Sequence, residues 1–112
     1  SVKKVVTFTG QSLAGPPDAT VLLRLSDQAE DLMVGLGEAG GDVPPDKRKP
    51  AAGRAQGLAL EVGRGRVVVM AEAAMMSAQV SGPLRSPMGM NKPGTDDRQF
   101  AINVMRWLGR AL

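Results

Sequence analysis

The chain has 112 residues, 43% of them hydrophobic, and its fourteen Lys and Arg against eleven Asp and Glu give a formal charge of +3. That length fits a single domain, residues 1–112, with one small core. The chain contains no Cys and no His, which excludes disulfide bonds, thiolate nucleophiles, imidazole catalysis and zinc sites of the usual Cys/His type.

The first third of the chain predicts two strands. Residues 2–9 are rich in β-branched side chains and predict the first strand. Residues 10–18, which end near two prolines, predict a loop. Residues 20–25 predict a second strand, and because they are mostly apolar we expect it to be buried on both faces. Residues 28–36 then predict a short helical turn.

The middle of the chain holds an irregular stretch followed by the clearest pattern. Residues 35–55 contain five Gly, three Pro and the basic cluster 47–49, which predicts a long flexible loop with a solvated tip. Residues 57–62 and 66–71 are two β runs separated by a Gly-containing turn, and they predict a β-hairpin over 57–71. The second run is almost wholly apolar, so we expect it to be the central strand.

The last third predicts helices. Residues 72–80 are rich in helix formers and predict a short helix, and residues 84–94 predict an irregular connection. From about residue 97 to 112 an apolar stripe at helical spacing predicts an amphipathic helix capped by Thr95 or Asp96. The order of elements predicts an α/β domain with a small mixed sheet of about four strands, covered by helices on at least one face.

Ser12 is the first candidate for chemistry, because a serine two residues after Gly10 at a strand end resembles the nucleophile elbow of hydrolases. An elbow serine needs a base, normally His, and the chain has none. Prolines rather than a helix follow the turn. We therefore interpret the stretch as a turn and predict no catalytic residue there.

A ligand site is the second candidate. Glu72 follows an apolar strand, and ligands of α/β sheets bind at the carboxyl ends of strands. Other polar side chains that could converge above the sheet suit a sugar or another polar small molecule, and the predicted ligand-binding set is Gln11, Ser12, Glu72, Ser77 and Asn91. The alternative is that Glu72 caps a helix and the rest satisfy loop backbone groups. No metal ligand set and no cofactor are predicted.

Composition also bears on partners. The basic residues are scattered, and the aromatic residues Phe8, Phe100 and Trp107 lie within expected core segments, so a nucleic-acid partner is not expected. No run approaches the 18 or so apolar residues of a membrane span, and no membrane partner is expected. The first four residues lack the apolar core of a signal peptide, which leaves a cytoplasmic and an exported location open.

Three stretches together carry a resemblance to a known family: VVTFTGQSL (5–13), GRAQGLALEVGRGRVVVMAEAAMMSAQ (53–79) and PMGMNKPGTDDRQFAINVMRWL (87–108). They resemble the C-terminal part of a mostly uncharacterised bacterial domain family with a fold like that of class I glutamine amidotransferases, in which a G-[KR]-G-R-V-V-V hairpin precedes a final helix with an N-x-x-x-W-L pattern. The resemblance implies a flavodoxin-like sandwich. True amidotransferases use a Cys-His-Glu triad, and this chain lacks two of those residue types.

The resemblance therefore implies a truncated sandwich without an inherited active site. A truncated sheet leaves an edge or face uncovered, and a second copy of the chain usually protects such surface. We expect a homodimer, with an interface that includes four methionines, Met75, Met76, Met88 and Met90. The predicted function is a non-catalytic domain that self-associates and binds a polar small molecule or a partner protein. The alternative is a hydrolase or glycosidase that uses Glu72 with a loop carboxylate.

Overall fold

The computed structural model describes residues 1–34 and 42–111, so the first part of the predicted loop over 35–55 lies outside the described residues. In that part of the chain, seven strands precede one α-helix, and two 3-10 turns, Pro45–Lys47 and Ala74–Met76, lie between strands. The strands and the helix are β1 Thr20–Arg24, β2 Glu30–Leu32, β3 Arg48–Pro50, β4 Ala55–Val62, β5 Gly65–Met70, β6 Ala78–Ser81, β7 Ser86–Gly89 and α1 Asp97–Leu108.

The largest sheet has the order β1-β4-β5 and confirms the predicted hairpin. Val62 pairs with Gly65, so the turn consists of two residues, Gly63 and Arg64. Gly63 has φ +58, a left-handed conformation that glycine adopts without a Cβ clash and that a type II′ turn requires at its first central position. The predicted strand over 20–25 is also confirmed, as β1.

The central strand of this sheet is β4, so the prediction that the second run of the hairpin is central was wrong. The first five residues of β4 are buried, and the missing side chain at Gly57 lets Leu23 and Met70 of the two neighbouring strands pack against it. In β5, by contrast, burial alternates, and Val67 and Val69 are exposed. The expectation that β1 is buried on both faces also fails, because its residues are only half-buried or exposed.

The hydrophobic core lies between this sheet and α1. Its buried residues are Met75, Phe100 and Val104, and β5 contributes Val68 and Met70 from the face opposite Val67 and Val69. The amphipathic helix is thus confirmed, although it ends at Leu108. Met75, which was expected at a dimer interface, is 1% exposed and belongs to the core of the single chain.

Residues 2–9 do not form the predicted strand, although their composition favours one. Their backbone follows the start of α1 instead: the amides of Lys3 and Lys4 donate to Asp96 Oδ2 at 2.8 Å, and the amide of Val6 donates to Asp97 Oδ1 at 2.9 Å. Asp96 N donates in return to the carbonyl of Lys4. These carboxylates satisfy amides that a neighbouring strand would otherwise have to satisfy.

Two other segments differ from expectation in a similar way. The predicted helical turn over 28–36 contains β2, which pairs with β3 from the described part of the predicted loop, and Arg48 Nη1 binds Glu30 Oε2 across this pair at 3.1 Å. The predicted helix over 72–80 contains a 3-10 turn and then β6, which pairs with β7 from the predicted irregular connection. Tertiary pairing overrides helix propensity in both places.

The fold class is therefore a mixture of α and β structure, as predicted in outline. Within residues 1–34 and 42–111 there are seven strands in three small sheets and one α-helix, rather than about four strands in one sheet beneath several helices. Every strand pair in that part of the chain is antiparallel, so the sheet is not mixed.

Candidate functional site

The 10–13 loop contacts the chain just after β5, beside Glu72. Gly10 has φ +133, and a Cβ placed on it would lie 2.5 Å from the carbonyl oxygen of Ala71 and 2.8 Å from Cβ of Glu72. Only glycine allows this approach. The amide of Gln11 then donates to the carbonyl of Ala71 at 3.1 Å. The side chain of Gln11 is exposed at this junction.

The carboxylate of Glu72 is buried and holds the adjacent 3-10 turn. The residue is 5% exposed. Its Oε1 accepts from the amide of Ala74 at 2.9 Å and its Oε2 accepts from the amide of Met75 at 3.0 Å. Ser77 Oγ donates to the carbonyl of Ala74 at 2.6 Å. Glu72 and Ser77 therefore close the same turn, which is the structural interpretation that the sequence left open for Glu72.

Ser12 lies in a different polar cluster. Its Oγ donates to Asp31 Oδ2 at 2.6 Å and accepts from Arg54 Nε at 2.7 Å. The hydroxyl thus links the 10–13 loop to β2 and to the residue that precedes β4. No signal in the sequence connected Asp31 or Arg54 with Ser12, because the three are brought together only by the pairing of distant segments.

Asn91 lies beside the β6–β7 pair, away from both clusters. Its Nδ2 donates to the carbonyl of Gln79 at 3.2 Å at the surface. The predicted ligand-binding residues are therefore divided among three places. Gln11 adjoins the turn that Glu72 and Ser77 close, Ser12 binds Asp31 and Arg54, and Asn91 binds the backbone of β6.

This geometry offers little for acid–base chemistry. A hydrolase of the alternative type needs Glu72 and a second carboxylate in one cleft, whereas both oxygens of Glu72 accept backbone amides. In residues 1–34 and 42–111, no group of three or more His, Cys, Asp or Glu side chains is placed to hold a metal ion.

A cavity lies elsewhere, on the helix side of the main sheet. It is a cleft of about 900 Å³ between residues 2–7, β1, the helix-facing side of β4 and β5, and the apolar face of α1. Trp107, Phe100 and Val104 form its helical wall, and Gln56 and Asn103 add side-chain amides. Sequence reasoning missed this cleft because its apolar residues follow the strand and helix periodicities that also describe a closed core.

The charges around the cleft are of one sign. Lys3 and Arg24 line it, and none of the described residues that line it is an Asp or a Glu. Two carboxylates bind the backbone of residues beside the cleft. Asp97 accepts from the amide of Val6, and Asp96 accepts from the amides of Lys3 and Lys4, whose hydrogen bonds lower the pKa of the Asp96 carboxyl below its usual value.

Trp107 also contacts the start of β5, next to the hairpin turn. The guanidinium of Arg66 lies 4.9 Å from the centre of the indole ring, and its Nη1 donates to the carbonyl of Trp107 at 2.6 Å. Cation–π contacts of this kind stabilise partly buried pairs. The contact fixes one wall of the cleft against the hairpin.

The helix of the described chain is too short to cross a membrane. Comparison of the chain with family models, with curated proteins and with solved structures gives no match.

Proposed function

We propose that this chain is a non-catalytic interaction domain that self-associates by pairing the β5 edges of two copies. The observation that carries the proposal is the position of β5 at the edge of the main sheet, with Val67 39% and Val69 41% exposed on its outer face. An edge strand of this kind is a template for pairing with another chain.

The hydrogen-bonding pattern of the hairpin supports this. Val62 and Gly65 flank a two-residue turn, and the amide of Ala71 donates to the carbonyl of Gln56. In an antiparallel pair the residues between these positions alternate in direction. The backbone groups of Arg66, Val68 and Met70 therefore point away from β4, and none of them bonds to the described part of the chain outside the ladder.

The edge also lacks the features that usually prevent pairing. The β5 sequence, GRVVVM, contains no Pro and no Lys, and its ladder with β4 continues without a bulge. Val62, 58% exposed, extends the apolar surface on the same face as Val67 and Val69. A second strand that pairs here would place its own valines beside these side chains and bury part of their surface.

A two-fold axis through Val68 gives a self-complementary arrangement. Val67 of one copy then lies opposite Val69 of the other, and Arg66 lies opposite Met70, so no like charges face each other. The outward backbone groups of three residues on each strand would form about six hydrogen bonds. Valine pairs across such strands are among the favourable cross-strand contacts.

The resemblance to an amidotransferase-like sandwich remains part of this proposal. The hairpin β4–β5 and the helix α1 occupy the stretches that carry the resemblance and agree with its order of elements. The antiparallel pairing of the described strands, and β6 in place of a short helix after the hairpin, depart from it. In this interpretation the second copy covers an edge that further strands cover in longer members. A polar ligand or a partner protein is the second part of the proposal. The described hydrogen bonds of Ser12, Glu72, Ser77 and Asn91 are all made within the chain and do not favour these residues as its binding site.

The hydrolase alternative has no observation in its favour. It depends on Glu72 as a titrating group beside a loop carboxylate, and the carboxylate of Glu72 accepts the amides of Ala74 and Met75.

The test compares two double variants that change the same two positions. V67K/V69K places Lys opposite Lys in the proposed register, whereas V67E/V69K places Glu opposite Lys in both cross-strand pairs. We expect sedimentation velocity over a concentration series to show a dimer for the native chain, a monomer for V67K/V69K and a dimer for V67E/V69K. Circular dichroism of each variant verifies that the fold is retained.

Three results would contradict the proposal. A native chain that stays monomeric at all concentrations excludes self-association. A V67K/V69K variant that still dimerises moves the interface away from β5. Two variants that dissociate equally exclude the antiparallel register about Val68, since only that register turns the Glu and Lys of the second variant into opposite partners.

A further inference from the structure

We propose that the cleft between α1 and the main sheet binds an anionic amphiphile, a compound with an extended apolar body and a carboxylate or similar acceptor-only head. The site is distinct from the proposed dimer edge. The cleft opens on the face of the sheet that carries Val68, and Val67 and Val69 lie on the other face. It also contains none of the five residues that the sequence suggested for ligand binding.

The size and walls of the cleft suit the apolar body. At about 900 Å³ it falls in the range of small-molecule sites, which is about 300–1,000 Å³. Val5 and Leu22 on one side, and Phe100 and Trp107 on the other, present hydrocarbon and aromatic surface. Burying an alkyl chain here is favourable because each CH₂ group leaves water for an apolar wall.

The charged groups of the cleft select the head of the ligand. Lys3 and Arg24 line the cleft, and no Asp or Glu is found among its described lining residues. Arg24 Nη1 donates to a backbone carbonyl, that of Gly53, at 3.0 Å. The charged side chains that line the cleft are therefore both cationic, whereas the carboxylates of Asp96 and Asp97 beside it are engaged by backbone amides, and this arrangement favours an anion over a cation.

The neutral polar groups agree with that sign. Asn103 lines the cleft, and its Oδ1 accepts from Gln99 Nε2 at 2.9 Å, so its Nδ2 group is the one that remains to donate. Donors from Lys3, Arg24 and Asn103 would all face a ligand with acceptors only. Hydrogen bonds from charged donors to carboxylates are the stronger kind.

The chain carries its own reporter for this site. Trp107 is the only Trp in the chain, and it lines the cleft. We expect decanoate, titrated below its micelle concentration, to change the fluorescence of Trp107 in a saturable manner. Decyltrimethylammonium has a chain of the same length and the opposite charge, and we expect it to bind at least about tenfold more weakly, since tenfold corresponds to about 1.4 kcal/mol.

Adjacent lysines supply a matched control. Lys3 lines the cleft and Lys4 does not, and both are exposed residues whose amides bind Asp96. We expect Lys3→Glu and Arg24→Glu each to weaken decanoate binding by about tenfold, with Lys4→Glu close to the native chain. The V67K/V69K variant should bind decanoate as the native chain does, which separates this proposal from self-association.

Equal binding of the two amphiphiles would overturn the proposal, because it would reduce the cleft to an apolar surface without charge preference. Equal losses for Lys3→Glu and Lys4→Glu would overturn it as well, since the effect would then be one of net charge. A titration that never changes Trp107 fluorescence, with binding shown by calorimetry, would place the ligand outside the cleft.

Discussion

The main sheet and the segments around it are held in different ways. Along the β4–β5 hairpin, residues 57–62 and 65–70 pair one to one in a continuous antiparallel ladder, and β1 joins β4 through a ladder with two register shifts. Residues 1–13, the 3-10 turn over 74–76 and the side of the β6–β7 pair that contacts this turn depend more on single groups: the carboxylates of Asp96 and Asp97, the carboxylate of Glu72, and close backbone contacts at glycines. The sheet shares its stability among many similar contacts, whereas the surrounding segments depend on a few atoms. Single substitutions should therefore cost more in the surrounding segments.

The largest effect is expected at Gly89, where β7 passes the 3-10 turn. Its φ is +66, and a Cβ on it would overlap the carbonyl oxygens of Ser77 and Ala74. We expect Gly89→Ala to lower the free energy of unfolding by about 3 kcal/mol or more, because either β7 or the backbone of Ala74 and Ser77 must move to make room for the Cβ. Urea unfolding followed by circular dichroism measures the loss.

Gly82 is the matched control in the same hairpin. Its φ is +72, but no atom lies within 4 Å of the position its Cβ would take. Gly82→Ala should cost only the left-handed conformation, about 1 kcal/mol. Similar losses for the two alanine variants would show that the contact at Gly89 does not hold the hairpin.

The second effect concerns Asp97, which is fully buried at the start of α1. Asp97→Ala leaves the amide of Val6 without its acceptor and should cost about 2 kcal/mol. Asp97→Asn keeps a side-chain oxygen that can accept from the amide of Val6. It also replaces Oδ2, a buried atom without a hydrogen-bond partner among the described residues, and so removes a buried negative charge. Its unfolding midpoint in urea should stay nearer that of the native chain. If Asn and Ala cost the same, the hydrogen bond to Val6 is not the reason for the loss.

The third effect contrasts two glutamates, one in each region. Glu72→Gln replaces one of two accepting oxygens with an NH₂ group that faces the amide of Ala74 or Met75, and it should cost about 1–2 kcal/mol. Glu61→Gln in β4 changes an exposed carboxylate 3.7 Å from Arg66 Nε, and it should change stability by less than about 0.5 kcal/mol. Thermal unfolding of the two variants side by side tests the difference. A larger loss at Glu61 would reverse the comparison.

The smallest effect is a pH dependence at Asp96. Hydrogen bonds from the amides of Lys3 and then Lys4 lower the pKa of its carboxyl from the reference value of 3.8. Because the folded pKa is the lower one, the contribution to stability is complete above the unfolded pKa, about 3.9, and is lost as pH falls through the folded pKa.

We therefore expect the urea midpoint of the native chain to fall below about pH 4 more steeply than that of Asp96→Asn. The Asn variant keeps an acceptor for the amides of Lys3 and Lys4 but does not titrate. Parallel acid curves for the two proteins would assign the acid sensitivity to other carboxylates.

The elements that could be predicted from the sequence are those whose signals are local. The β4–β5 hairpin has alternating side chains and a Gly63 turn, and α1 has an apolar stripe with Asp97 in its first turn. The position of a strand within a sheet is not local. The run Val67–Met70 is more apolar than β4, yet β4 is central, because β1 pairs with β4 through residues more than 30 positions away in the chain.

The candidate site shows the same limit. The structural role of Glu72 could be stated as an alternative, since a carboxylate before a turn commonly caps it. The partners of Ser12 could not be stated, because Asp31 and Arg54 reach it only after β2 has paired with β3 and Leu13 has paired with Ala55. For residues 2–9, β propensity predicted a strand. It could not predict that the carboxylates of Asp96 and Asp97, rather than a partner strand, would accept from their amides.

The hydrogen bonds between residues 3–6 and the two aspartates at the start of α1 bridge 91 to 93 positions of the chain. Closing so long a loop is entropically slow, and contacts of this separation delay folding. During synthesis the hairpin can form first, whereas residue 4 must wait until residue 96 has left the ribosome. Until that moment the walls of the cleft stay apart, and its apolar side chains are exposed to chaperones and to other nascent chains.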